Sequence, residues 1–291
     1  MRLNTPKRHL LLIRGLGHSG TTILDLALGA HSQITGLGEA VRLLEKPAPA
    51  DHHRGPAQLR GELKHHRHCT CGQVAAECSV WGPVLEWLPE HDDLELSVKL
   101  RRLLDVLDET RAGIGGDAPH WVVDSYQDDL QLQNLKAPDL EIRILHLTRD
   151  VRSWVHSRSR DGRRHGRWLP GFVPLLRWCR VNARQDCSLQ RCGKPVLRIG
   201  YEQLAFSPEQ TLRHICDWLN IDWDENMLAP MKHSSSHILS GNRMRFDAQR
   251  GSSIQYDYSW MQSHCGLAQI SLLIPWVARL NRRLVYPSID E

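Results

Sequence analysis

The residue run best suited to chemistry is Gly15-Leu16-Gly17-His18-Ser19-Gly20-Thr21-Thr22. Two glycines flanking four residues allow a tight loop whose backbone N–H groups, on Gly17, His18, Ser19, Gly20 and Thr21, are free to wrap an anion. Thr21 and Thr22 add hydroxyl donors. A loop of this pattern that uses ATP or GTP carries Lys directly after its second glycine, and here that position is Thr21. Arg149 and Ser157 form a second anion-binding pair, since two turns of helix would separate them and a guanidinium with a hydroxyl can grip a further phosphate. Asp124, closing an apolar run, stands where the magnesium-binding acid of a nucleotide kinase would stand. Cys69, Cys71 and Cys78, preceded by His65, His66 and His68, offer enough soft ligands for tetrahedral zinc. Their Cys-x-Cys spacing is not that of a zinc knuckle and no second pair follows, so zinc, a disulfide and simple buried thiols all stay open.

These residues need elements to hold them. His9–Ile13 reads as a buried strand leading into the glycine loop, and Thr21–His31 as the helix that follows. Further strands are expected at His120–Asp124, Ile142–Thr148 and Pro195–Ile199, with helical patterns at 97–112, 128–136, 150–160 and 171–191. Short apolar runs alternating with helices predict an α/β fold, a P-loop-like three-layer sandwich with a central parallel sheet and helices on both faces. Arg149 then sits at the C-terminal edge of a parallel strand, where open α/β sheets bind ligands. The pattern fails over residues 46–96, rich in Pro, His and Cys, which reads as an irregular insertion on a single domain spanning residues 1–291. The Arg- and Gly-rich run 158–167 reads as a surface loop that could cover the site, residues 230–255 as irregular, and Leu267–Leu280 as a C-terminal helix.

Composition narrows the rest. A chain of 291 residues with 41% hydrophobic content can bury a substantial core, which excludes a small disulfide-stapled scaffold. Lys+Arg 37 against Asp+Glu 33 gives a net charge of only +4, so nucleic acid is not an expected partner and any strong anion site must be local. The opening apolar stretch, Leu10–Ile13, is far short of the ~20 residues that span a bilayer, and no transmembrane segment is expected. A cytoplasmic protein is the default expectation.

Taken in chain order, GLGHSGTT (Gly15–Thr22), GLGEAVRLL (Gly36–Leu44), CTCGQVAAECSVW (Cys69–Trp81), VVDSYQ (Val122–Gln127), RDVRSWVHS (Arg149–Ser157), YEQLAFSPEQTLRHICDWLNI (Tyr201–Ile221) and SGNRMRF (Ser240–Phe246) resemble the PAPS-dependent sulfotransferases. The likeness is to bacterial members related to carbohydrate and tyrosylprotein sulfotransferases. It implies a transferase that moves the sulfuryl group of 3′-phosphoadenosine 5′-phosphosulfate (PAPS) to an acceptor hydroxyl by in-line displacement, with no metal required. The resemblance assigns Gly15, Gly17, His18, Ser19, Gly20, Thr21 and Thr22 to the nucleotide, Gly17–Thr22 lying on the 5′-phosphosulfate. Arg149 and Ser157 would hold the 3′-phosphate, and the loop carrying Arg243 and Arg245 would close over the phosphates. Glu39, 17 residues after Thr22, matches the catalytic glutamate of the tyrosylprotein enzymes, and a carboxylate in reach of the acceptor hydroxyl can take its proton. His18 is the alternative base. It replaces the Lys or Arg that many relatives carry there, so Arg14, Arg243 or Arg245 would have to supply fixed charge; Gln127 likewise replaces a Lys.

Two other functions fit some of these residues: a P-loop small-molecule kinase, for Asp124, and a non-catalytic nucleotide-binding protein, for the substitutions at His18 and Gln127. With ATP, the kinase leaves Arg149 and Ser157 no obvious task. The acceptor, a carbohydrate or another small molecule with a hydroxyl, has no readable code in the chain, and neither does the oligomeric state.

Overall fold

The computed structural model describes residues 8–47, 56–111, 120–127, 132–162, 171–247 and 253–287. Five strands form one sheet in the order β2-β3-β1-β4-β5, every neighbouring pair parallel. They are β1 (Arg8–Arg14), β2 (Ile34–Gly36), β3 (Trp121–Asp124), β4 (Leu140–Thr148) and β5 (Val196–Gly200). Strands buried on both faces are apolar at successive positions, and β1 shows why. Its Leu10 and Leu12 pack into one cluster with α2 (Ala40–Leu44), α4 (Trp81–Trp87) and α5 (Leu96–Arg111). Leu11 and Ile13 enter another, with α1 (Thr21–Leu28), α8 (Tyr201–Phe206) and α9 (Pro208–Leu219). The expected α/β sandwich with helices on both faces is therefore present. A third cluster joins α6 (Val151–Gly162) and α7 (Phe172–Arg191) to the C-terminal helices.

Four local expectations need correction. The helix after the glycine loop ends at Leu28 with Gly29 as its cap, which leaves room for β2, a three-residue edge strand too short to show as an apolar run. Within the expected helix at 128–136, residues 128–131 lie outside the described residues and Leu132–Asn134 is a single 3₁₀ turn. Leu267–Leu280 is not one helix, because Pro275 cannot donate into a preceding turn. The chain forms a helix at Gly266–Ile270, a 3₁₀ turn at Ser271–Leu273 and a new helix at Pro275–Val285. Lastly, the segment expected to be irregular holds the short helix α3 (Pro56–Leu59) as well as α4, and sends Cys69, Ala75, Cys78, Trp81, Val84 and Leu85 into the cluster of β1 and β4. Trp81 is fully buried and its Nε1 donates to His237 O at 2.5 Å.

The sheet positions two chain reversals side by side. β1 lies at the centre, and the chain leaves it toward β2 and β3 on one side and reaches β4 and β5 on the other. The carboxyl ends of β1 and β4 are thus adjacent at a topological switch point, where open sheets leave a crevice.

Candidate active site

The loop after β1 is shaped by two close approaches. A Cβ on Gly15 would lie 2.2 Å from the carbonyl oxygen of Leu147 on β4, so only glycine lets the two strand ends meet. Gly20, at φ 95°, caps α1 in the left-handed region, and a Cβ there would strike the Tyr201 ring at 2.4 Å. Gly20 brings no side-chain acceptor, so the first N–H groups of α1 carry the positive end of the helix dipole without a capping side chain. His18 also takes a positive φ, 71°. Trp154 Nε1 on α6 donates to Gly17 O at 2.7 Å, and Gln127 Nε2 donates to Thr21 Oγ1 at 3.1 Å, fixing the loop from both sides.

Arg149 follows β4. Its Nε donates to Ser153 Oγ at 2.8 Å, its Nη1 to His18 O at 3.2 Å and its Nη2 to Asp257 Oδ2 at 2.9 Å, while Tyr201 lies under the guanidinium with its ring centroid 5.2 Å away. Burial works against the Asp257 charge, yet hydrogen bonds from Ser259 and the Arg149 guanidinium hold its carboxyl below the usual range. Burial raises the Tyr201 phenol, against the pull of Arg149.

Gly17, His18, Gly20, Thr21, Gln127, Arg149, Tyr201 and Asp257 line one cavity of about 710 Å³, together with Glu39, Arg42, Ser157, Asn242, Gln255 and Tyr256. Of the residues expected at the site, Gly17, His18, Gly20, Thr21, Thr22, Glu39, Arg149 and Ser157 reach it. Glu39 stands at the start of α2, where its Oε2 accepts from Arg42 Nη1 at 2.9 Å and from Ser240 Oγ at 3.3 Å. The others stand elsewhere. Gly15 is packed under Leu147, and Ser19 is 1% exposed. Arg245 is buried, its guanidinium donating to the carbonyls of Leu239, Gly241 and Asn242, so it braces the loop rather than facing the cavity. Desolvation lowers its pKa to about 10. The Arg243 side chain and residues 163–167 of the basic run lie outside the described residues. Arg14 is buried in an ion pair with Asp124 at 3.0 Å. The cation that meets His18 is Arg158, with Nη1 2.9 Å from Nε2.

Asp124 does not line the cavity. Its Oδ2 accepts from Arg14 and from Tyr126 N, and its Oδ1 from Val41 N. A carboxylate so engaged is a brace between β1, β3 and α2, not the open acid that the kinase alternative needs.

Sequence reasoning missed Tyr201 and Asp257, whose partners are far away along the chain, and Arg42, which meets Glu39 only three residues away. It also missed Asp25, fully buried on α1, with Oδ2 accepting from Ser125 Oγ at 2.6 Å and Gly38 N at 3.1 Å. Its other oxygen has no hydrogen-bond partner. Asp25 borders a small cavity of about 10 Å³ shared with Thr21, Thr22 and Glu39, and burial, opposed by the Ser125 bond and reinforced by Asp124, pushes it up to about 7. A lone acid in the otherwise apolar run Ile23–Leu28 was the available signal.

Residues 11–225 match the model of the sulfotransferase family. Two solved structures resemble the chain over nearly its whole length. A sulfotransferase domain from the curacin biosynthetic pathway is 17% identical, with a TM-score of 0.52, 98% of this chain and 99% of that one covered. The sulfotransferase domain of the Synechococcus PCC 7002 olefin synthase is 18% identical, with a TM-score of 0.44 and 98% of each chain covered. No curated protein sequence matches the chain. Among the described residues no helix is long and apolar enough to cross a membrane.

Proposed function

The chain belongs to the sulfotransferase family, and from that premise we propose that it transfers the sulfuryl group of PAPS to the hydroxyl of a small-molecule or carbohydrate acceptor, with Glu39 as general base. The observation that carries this reading is the single cavity that gathers the Gly17–Thr22 loop, Arg149, Ser157 and Glu39. The site fits a nucleotide with two anionic ends. Uncapped helix N–H groups lie at the loop, and Arg149 already holds a carboxylate, that of Asp257, in place of a phosphate. PAPS supplies an activated sulfuryl group whose bridging oxygen gathers negative charge as the bond to sulfur breaks.

Each residue then has a task. The loop amides other than Ser19 N, which already donates to Leu16 O at 3.1 Å, donate with Thr21 and Thr22 to the phosphosulfate and to the charge that grows on the departing nucleotide. Arg158 beside His18 adds the positive charge that a Lys or Arg at position 18 would bring. Arg149 and Ser157 take the 3′-phosphate, Arg149 exchanging Asp257 for it. Arg42 and Ser240 orient the Glu39 carboxylate, which removes the acceptor proton as its oxygen attacks sulfur. The test is a calorimetric comparison of the bisphosphate product PAP with ADP and with ATP plus Mg²⁺. PAP should bind at least ~10-fold more tightly than ADP, since one charged hydrogen-bonded contact is worth ~1.5–3 kcal/mol. Tighter binding of ATP with Mg²⁺ than of PAP would overturn the reading.

A further inference from the structure

We infer that Cys69, Cys71, Cys78 and His237 form a structural zinc site that fastens the Cys-rich turn to the loop leading into the cavity wall. One donor atom from each of these four residues lies within 4.8 Å of every other, which makes a compact Cys₃His set. The sequence lacked a second pair because the fourth ligand comes from 159 residues further along the chain. The measured edges suit a tetrahedron. Cys71 Sγ and Cys78 Sγ are 3.7 Å apart, and Cys78 Sγ and His237 Nδ1 3.3 Å apart. Zinc bonds of about 2.3 Å to sulfur and about 2.0 Å to nitrogen require edges of about 3.8 and about 3.5 Å. The 3.7 Å separation is far beyond a disulfide bond of about 2.05 Å.

The surroundings are those of a held metal. Gly72, at φ 92°, turns the chain between Cys71 and Gln73, and Gly72 N donates to Cys69 O at 3.0 Å. Trp81 N reaches Cys78 Sγ at 3.5 Å, the kind of N–H to sulfur contact that steadies a thiolate ligand. Cys69 and Cys78 are buried while Cys71 is exposed, which leaves an entry path on one side. Three thiolates around Zn²⁺ leave one net negative charge, and the buried Arg245 lies within electrostatic reach of Cys69. A thiolate-rich tetrahedral set selects zinc over the hard cations.

The loop fastened in this way is the one that builds the cavity. Thr70 N donates to Ile238 O at 3.3 Å and Thr70 Oγ1 to Ser236 O at 2.6 Å, and two residues beyond Ile238 the Ser240 hydroxyl meets Glu39. The inference itself does not depend on the donor or the acceptor. Elemental analysis of the full chain, expressed with added zinc and purified without chelators, should find about one zinc per chain. Chain produced with cobalt should show the d–d and thiolate charge-transfer absorption of a tetrahedral site, and Cys71→Ser and His237→Ala should each weaken both signals. Less than about a tenth of a zinc per chain with no such cobalt spectrum would overturn the proposal. So would intact-mass detection of a disulfide within Cys69, Cys71 and Cys78 in the freshly purified protein. If the variants fail to fold, the metal content and cobalt spectrum of the unaltered chain still decide.

Discussion

Glu39 and Arg149 divide the proposed chemistry between them, and their substitutions should fail in different ways. Glu39→Gln keeps the shape of the side chain and removes its basicity, so turnover should fall ~10²-fold or more while PAP affinity is retained. A variant with near-normal turnover would remove Glu39 from the mechanism. Arg149→Ala should weaken PAP by ~10–100-fold and erase its advantage over ADP, measured by calorimetry, because the bidentate-capable guanidinium proposed for the 3′-phosphate is lost. Asp25 makes a prediction about stability. Its folded pKa of about 7 lies above the ordinary value of 3.8, so the folded chain keeps a proton that the unfolded chain releases. Its contribution is therefore present in full below about pH 4 and lost as pH rises toward about 7. Asp25→Asn should flatten that fall, gaining roughly 4 kcal/mol on the unaltered protein between about pH 4 and about pH 7.5 in urea unfolding.

At the scale of elements, the ends of β1, β3 and α2 are joined under the cavity by the Arg14–Asp124 pair, whose side chains are 1% and 2% exposed. Asp124→Ala would leave Arg14 buried without its carboxylate and should cost ~3–5 kcal/mol in denaturant unfolding. The same residue separates two reaction classes. As a brace, Asp124 should affect stability and leave the nucleotide preference unchanged; in a kinase it would carry the dependence on Mg²⁺. The helix following β1 was readable because a loop with two glycines between apolar strand and helix has few other outcomes, and that following β4 because the polar Arg149-Asp150 step separates an apolar strand from a helical pattern. The edge strand β2 was not, since three residues carry no periodicity and their strand state comes from pairing with β3. Nor was the kink at Pro275 weighed against the apolar pattern, although proline alone was sufficient reason for a break.

For the whole molecule, binding at the cavity should stabilise the fold by mass action. PAP at about 100 times its Kd adds ~2.7 kcal/mol, a rise in Tm that ADP at equal concentration should not reproduce. The sequence by itself determined the α/β class and the strand–glycine loop–helix order, and picked out Thr21, Thr22, Arg149 and Ser157, which line one cavity, because these are local: a strand, a turn and a helix face are written within about a dozen neighbouring positions. Only the tertiary structure decided what faces what. Arg245 looked like a phosphate ligand and is spent on three carbonyls, while Arg158, read as part of a surface loop, stands beside His18. Asp257 reaches Arg149 across 108 positions and His237 reaches Cys78 across 159. Such contacts are set by where the sheet brings its strand ends together, and no spacing along the chain encodes that distance.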